Sequence, residues 1–385
     1  MSKNIILLNL YYLFRKAPVL FLIQNMYFIH IGYSVSELFW ANSFGIGAYV
    51  VFDYLGSWFA DHKGKRLSLE IGLYFQMGYV LFAYFAQSQS LVYVYISFIF
   101  NGIARAFYGT ADLVYDYEII QNYSNSNYTQ FRGNLRSFLN LGFFGFTLLG
   151  TYFLSLKEPN LILILSLFIL ISVIFILKSL PNDKVCPHEE RRTIIDVVNF
   201  IKQNLGLFNI GVLFSVSYFA MEIGLFQLIA KNIGTDLILV GKMTSLMIFT
   251  GVLSAPFVKL GLSLKVKKKY LFGLLIIIKI FCLLLWFSKN VYIISFSFII
   301  YTLTLTLFWA VYDELFFSKI DKKIRARVNS VRWGFAAIFA IIINQAGAWL
   351  VKYNKEFLIL GMALIIISIL LINLILLYKN RKKIE

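Results

Sequence analysis

At 385 residues the chain is long enough for two or three soluble domains, yet 59% of its residues are hydrophobic, only 14% are charged and the mean hydropathy is +0.75. This composition excludes a soluble protein. A dozen spans of about 20 residues need about 240 largely apolar positions, close to what the chain holds, and the longest polar interval, Pro181 to Gln203, is too short to bury a catalytic core of its own.

In chain order, apolar runs predict twelve membrane helices, at about 5–31, 36–59, 67–87, 90–119, 132–156, 160–180, 205–230, 236–260, 268–288, 290–318, 327–351 and 356–379. The runs are continuous and not alternating, which selects helices over barrel strands. The run from Ile5 is long and has no small-residue cleavage site, so it reads as a first span and not a removed leader. The expected organisation is an N-terminal six-helix bundle at 1–180, a cytoplasmic linker at 181–204 and a C-terminal six-helix bundle at 205–385. Within the linker, Thr193 to Ile201 has amphipathic helical spacing that suits a membrane surface.

The formal charge of +17 would suit nucleic acid only if the bases formed one face or stripe. They alternate by loop instead. With the N-terminus inside, about 25 Lys and Arg fall on the cytoplasmic side, including Lys63, Lys65, Arg66, Arg132, Arg136, Lys267 to Lys269 and Arg381, against about five opposite. Both termini are therefore expected in the cytoplasm of a multi-pass inner (plasma) membrane protein, with the basic loops against anionic lipid heads. Nucleic acid is not an expected partner. The bias towards Phe, Ile, Lys and Asn suggests a bacterial source. Cys186 and Cys282 stand far apart, which implies neither a disulfide framework nor a metal site.

The two halves resemble each other. Val114-Tyr115-Asp116 recurs as Val311-Tyr312-Asp313, Arg132-Gly133-Asn134-Leu135-Arg136-Ser137 is echoed by Arg325-Ala326-Arg327-Val328-Asn329-Ser330, and Ile31-Gly32 matches Ile233-Gly234. The order is the same in both halves, and the offsets are near half the chain. Such parallel halves suit a transporter built from two six-helix repeats.

After the second span the chain reads Gly56-Ser57-Trp58-Phe59-Ala60-Asp61-His62-Lys63-Gly64-Lys65-Arg66. This resembles the signature loop of the major facilitator superfamily, Gly-x-Leu-Ala-Asp-Arg-x-Gly-Arg-Lys, with Ser57, Phe59 and His62 departing from it. Arg105-Ala106-Phe107-Tyr108-Gly109 approximates a second signature, with Tyr108 in place of Gln. The resemblance, which leans towards the drug-efflux branch, implies the twelve-helix fold of that superfamily and a gate latch in which Asp61 holds the cytoplasmic ends together. The physics of the loop agrees: Gly56 permits close helix approach, Gly64 a tight turn, and Lys65 and Arg66 face lipid phosphates.

Arg105, Gly109, Asp112 and Asp116 follow steps of four, three and four, and so share one face of the fourth helix. Charges there would cost about 2.5 to 3.5 kcal/mol each against lipid, which turns the face towards protein or water. Asp112 and Asp116 are expected to pair with Arg66 or Arg132 within the latch. For proton coupling the expected residues are Glu222, deep in the seventh span, with Arg105 and Asp53. Arg15, Gln24, Arg105 and Glu222 are the expected substrate contacts. Lys242, Lys279 and Arg332 complete the intramembrane charges.

No nucleotide-binding loop and no metal-ligand or catalytic spacing occurs, so the chain is expected to be neither a pump nor an enzyme, with no cofactor. The reading is a monomeric secondary transporter that works by alternating access and exports a small amphipathic molecule or peptide in exchange for protons. Against export, the fifth helix lacks the central Pro frequent in drug–proton antiporters. The alternatives are proton-coupled uptake of an anionic solute and a transporter-like receptor without flux.

Overall fold

The computed structural model describes residues 3–16, 18–123, 128–181, 194–220, 223–253, 256, 268–320, 325–353 and 355–379. Every regular element among them is a helix. The first expected span is three pieces, α1 (Lys3–Lys16), α2 (Val19–Leu22) and α3 (Gln24–His30). Pro18, which lacks an N–H and disfavours helix in the residue before it, stands at the start of α2, and Ile23 leaves helical geometry between α2 and α3. Single helices follow: α4 (Val35–Lys63), α5 (Lys65–Phe85), α6 (Leu91–Tyr123), α7 (Tyr128–Ser155) and α8 (Pro159–Ser179).

The amphipathic linker segment is a helix, α9 (Ile194–Gln203), which meets α10 (Leu205–Ala220) at a bend of 94°. Within the seventh expected span the described residues are helical, as α10 to Ala220 and α11 (Ile223–Asn232). Then come α12 (Leu237–Thr250), α13 (Lys268–Leu284), α14 (Val291–Ser318), α15 (Arg325–Tyr353) and α16 (Lys355–Lys379). Among the described residues seven helices are long and apolar enough to cross a membrane, eight if the bent pair counts as one span. The chain is a multi-pass, all-α membrane protein, and its helices follow the order of the twelve expected spans.

The internal repeat is written into the backbone. Gly32 and Gly234, at φ 109° and 85°, each precede a capped helix. Ser34 and Glu37 form a reciprocal capping box at the start of α4, and Asp236 caps α12 through the Ile238 and Leu239 amides. The third and ninth spans both end in a 3₁₀ turn closed by a left-handed residue, Gln89 in one and Lys289 in the other, an offset of 289 − 89 = 200.

Packing divides the chain into two units: Met1–Pro187 with Gly234–Val252, and His188–Ile233 with Leu253–Glu385. Where the expected division runs through 181–204, the packing adds α12 to the first unit. Glycine explains that addition. A Cβ at Gly241 would overlap the Thr151 side chain of α7, and one at Gly251 would lie 2.6 Å from the Asn140 amide. Small residues also bring α4 onto α6, since Gly102 meets the Gly45 carbonyl and a Cβ at Gly56 would lie 2.6 Å from the Ala106 carbonyl oxygen. In the second unit α10 packs on α15 and α16, and α13 on α14 and α16.

A side chain at Gly102 must push two backbones apart, so Gly102→Val should destabilise by about 1–3 kcal/mol and lower the thermal midpoint of the detergent-solubilised protein. Gly47→Ala, with nothing within 4 Å of its new methyl, should leave it unchanged or slightly raised.

Candidate functional site

The first unit holds three polar clusters in otherwise apolar helices. The deepest is built on Arg15, in the last turn of α1 and 5% exposed. Its guanidinium forms an ion pair with Asp112 of α6. Three tyrosine rings surround it, with Cζ 5.7 Å from the centroid of Tyr11, 5.4 Å from Tyr12 and 4.5 Å from Tyr108. The Tyr12 hydroxyl donates to the Asp112 carbonyl at 3.2 Å, and the Tyr108 hydroxyl donates to Gln76. A buried pair of this kind needs each charge to be held by hydrogen bonds and π faces, because desolvation otherwise exceeds the Coulomb gain.

This geometry corrects one expectation. Asp112 was expected on Arg66 or Arg132, and it pairs with Arg15 instead. The break at Pro18 ends α1 beside α6, which brings a guanidinium from 97 residues away onto the face that carries Tyr108 and Asp112. Arg66 reaches Glu70 at 3.6 Å and donates to the carbonyls of Leu180 and Lys178, both at 3.0 Å, tying the start of α5 to the end of α8.

The second cluster lies between α4 and α6. Tyr49 and Asp53, one turn apart, share a side-chain hydrogen bond, with the phenol donating to the carboxylate. Arg105, near the middle of α6, stands with its Cζ 6.0 Å from the Tyr49 centroid. A Cβ at Gly109 would lie 3.7 Å from Asp53 Oδ1. Asp53 is buried and Arg105 is exposed. The expected coupling residues Arg105 and Asp53 are thus brought together around one tyrosine.

The third cluster follows from the break at Ile23. Gln24, the first residue of α3, accepts at Oε1 from the Tyr79 hydroxyl at 3.1 Å and from Asn101 Nδ2 at 3.2 Å. Phe21 stacks on Tyr79 with centroids 4.9 Å apart. Tyr49, Gln76, Tyr79 and Asn101 escaped the sequence reading, and Tyr108 entered it only as a departure from the second signature. Aromatics run along every span, so only the spacing of Gln76 and Tyr79 on one face of α5 hinted at them.

The signature segment is more helical than expected, because α4 runs to Lys63 and only Gly64, at φ 108°, breaks it before α5. Lys65 and Arg66 open α5, where Ser68 donates to the Phe107 carbonyl at 3.0 Å. The side chains of Asp61 and Asp116 lie outside the described residues, as does Glu222. In the second unit Arg332 is buried against Tyr312, Phe316 and Trp333, at 5.3, 5.4 and 5.5 Å, while Lys242 is exposed. No group of three metal-binding side chains occurs among the described residues.

No protein-family model and no curated protein matches the sequence. Solved structures do. A nucleoside transporter, NupG, superposes with a TM-score of 0.72 over 100% of both chains at 13% identity. A POT family transporter in complex with 5-aminolevulinic acid gives 0.72 over 98% of this chain and 97% of that one, also at 13%. A D-xylose–proton symporter gives 0.64 over 96% and 95%, at 15%. The fold is that of the major facilitator transporters. These structural neighbours are membrane transporters and not enzymes, and at such identities they establish the fold alone. Branch and cargo are not carried over with it.

Removing Arg15 from the Arg15–Asp112 pair leaves a carboxylate whose side chain is only 14% exposed without its counter-ion. Arg15→Met should therefore cost about 3–5 kcal/mol and sharply lower the thermal midpoint, while Arg15→Met with Asp112→Leu should recover most of the loss.

Proposed function

We propose that the chain is a secondary active transporter working by alternating access, in which protons drive export of a small amphipathic molecule or peptide. The observation that carries the reading is Arg105, exposed near the middle of a membrane helix beside the Tyr49–Asp53 pair. An arginine at that depth costs about 2.5 to 3.5 kcal/mol against lipid, so its face borders water, which is where a carrier handles its cargo. In this reading Asp53 and Glu222 carry protons, and Arg105 tunes Asp53 across the Tyr49 ring. Gln24, Arg15, Arg105 and Glu222 contact cargo. Gly56, Asp61, Gly64, Lys65, Arg66, Asp112 and Asp116 form the latch, with Asp112 acting through Arg15.

Proton-coupled uptake of an anionic solute is the second reading, favoured by the buried bases Arg15, Lys279 and Arg332. Both readings place the termini in the cytoplasm of a bacterial cell, a monomer in the inner membrane. A fluorescent protein fused at the C-terminus should then fluoresce, and an alkaline phosphatase fused there should stay inactive.

Proteoliposomes loaded with a pH-sensitive dye test the mechanism and its direction together. Cargo added outside makes the lumen alkaline if protons leave in exchange and acid if they enter with it. A panel of ethidium, short peptides, nucleosides, sugars and monocarboxylates should contain at least one compound that alkalinises the lumen. Arg105→Gln, Asp53→Asn and Glu222→Gln should each slow the response at least tenfold. Silence across the panel removes transport from the reading, and acidification replaces export by uptake.

A further inference from the structure

The second unit contains a charge-bearing group that the proposed mechanism leaves idle. Lys279 of α13 is fully buried, and its Nζ has no hydrogen-bond partner. Three rings surround it: Phe214 of α10 at 4.2 Å from the amine to the centroid, Tyr301 of α14 at 4.9 Å and Phe308 of α14 at 5.6 Å. Tyr301 and Phe308 are seven residues apart and so lie on one face of α14. The buried Cys282 thiol lies one turn along α13. Among the described residues no carboxylate lies within ion-pair distance of the amine, whereas Arg15 in the first unit has Asp112.

The repeat makes the contrast sharper. At the offset of 200 that relates Gln89 to Lys289, Lys279 corresponds to Tyr79, Tyr301 to Asn101 and Phe308 to Tyr108. In the first unit those positions are mutually satisfied through Gln24 and Gln76. In the second unit the same positions carry three N–H donors and aromatic walls, and the amine makes no hydrogen bond.

We infer that Lys279 and its ring cage form an anion subsite of the second unit, which takes the carboxylate of a small monoacid with an apolar or aromatic body. The chemistry selects this class. Ring faces attract the ammonium but leave its charge without a counter-ion, and no hydrogen bond reaches it, so the partner that completes the cage is anionic. A phosphate dianion would want several donors or a second base, and the cage supplies one amine. The apolar walls suit the body of the acid, and the bound form is an ammonium–carboxylate pair whether the acid arrives as the anion or as the neutral acid that passes its proton to the amine. Because the amine is sealed in this structure, the acid enters when the rings of α10 and α14 part. The inference deepens the transport reading by naming a cargo class, and rests on that reading only for its physiological meaning.

Binding is tested without flux. The full chain in nanodiscs is titrated with benzoate and hexanoate, and with benzamide and hexanamide as neutral counterparts, while thermal unfolding is followed. The acids should raise the midpoint of the wild type and of Lys279→Arg, with apparent affinity at least tenfold weaker in Lys279→Met, and the amides should have no effect. Lys279→Gln makes the same comparison should Lys279→Met not fold. Equal acid binding with and without the charge, equal effects of acids and amides, or no shift in the wild type would each overturn the subsite. Acid binding in a protein that moves no protons in the dye assay would count against transport alone, and proton movement without acid binding would count against the subsite alone.

Discussion

A charge in hydrocarbon must be given something in place of water, and the described architecture is arranged around that cost. Arg15 meets it with a carboxylate and three tyrosine rings. Arg332 sits against three rings, and Lys279 has rings alone. Arg105 is exposed and keeps company with Tyr49 and Asp53. Each solution is built from a different set of helices. The distribution of ionisable groups therefore follows the packing, and the packing follows where small residues let helices close.

The backbone obeys the same constraint. Its polar groups must be satisfied within each segment at membrane depth, so the breaks at Pro18 and Ile23 stand out. Freed geometry at Ile23 sets Gln24 at the start of α3, where its amide oxygen accepts from both Tyr79 and Asn101. A chain discontinuity becomes a polar cluster in the middle of a bundle. It arises here from one imino acid and one non-helical isoleucine.

The repeat supplies a scaffold on which the two halves of the sequence differ in their interior. Gly32 and Gly234, the 3₁₀ endings, and the left-handed Gln89 and Lys289 are shared turn by turn. The interior positions are not. Tyr79 is part of a hydrogen-bonded set, and its counterpart Lys279 is an amine among rings. Asp112 is half of an ion pair in the first unit, and Tyr312 in the second donates to the Leu207 carbonyl at 3.0 Å. Turns tolerate little change because glycine conformations and caps are local requirements. Interior side chains can change wherever a compensating partner is available across the helix gap.

Much of the fold was legible along the chain, because hydrophobic run length, loop charge and turn residues act over a few residues and need no knowledge of neighbours. Spans, their order, the parallel repeat and the amphipathic α9 follow from that local information, as does the presence of Arg105, Asp53 and Gln24 inside the membrane. Partners are different. That Asp112 belongs to Arg15 and not Arg66, that Tyr49 joins Arg105 to Asp53, that α12 closes on α7, and that Lys279 is ringed without a hydrogen bond are decided only when helices far apart in sequence touch. Desolvation and close packing depend on what lies across the gap, and one helix's sequence does not contain it.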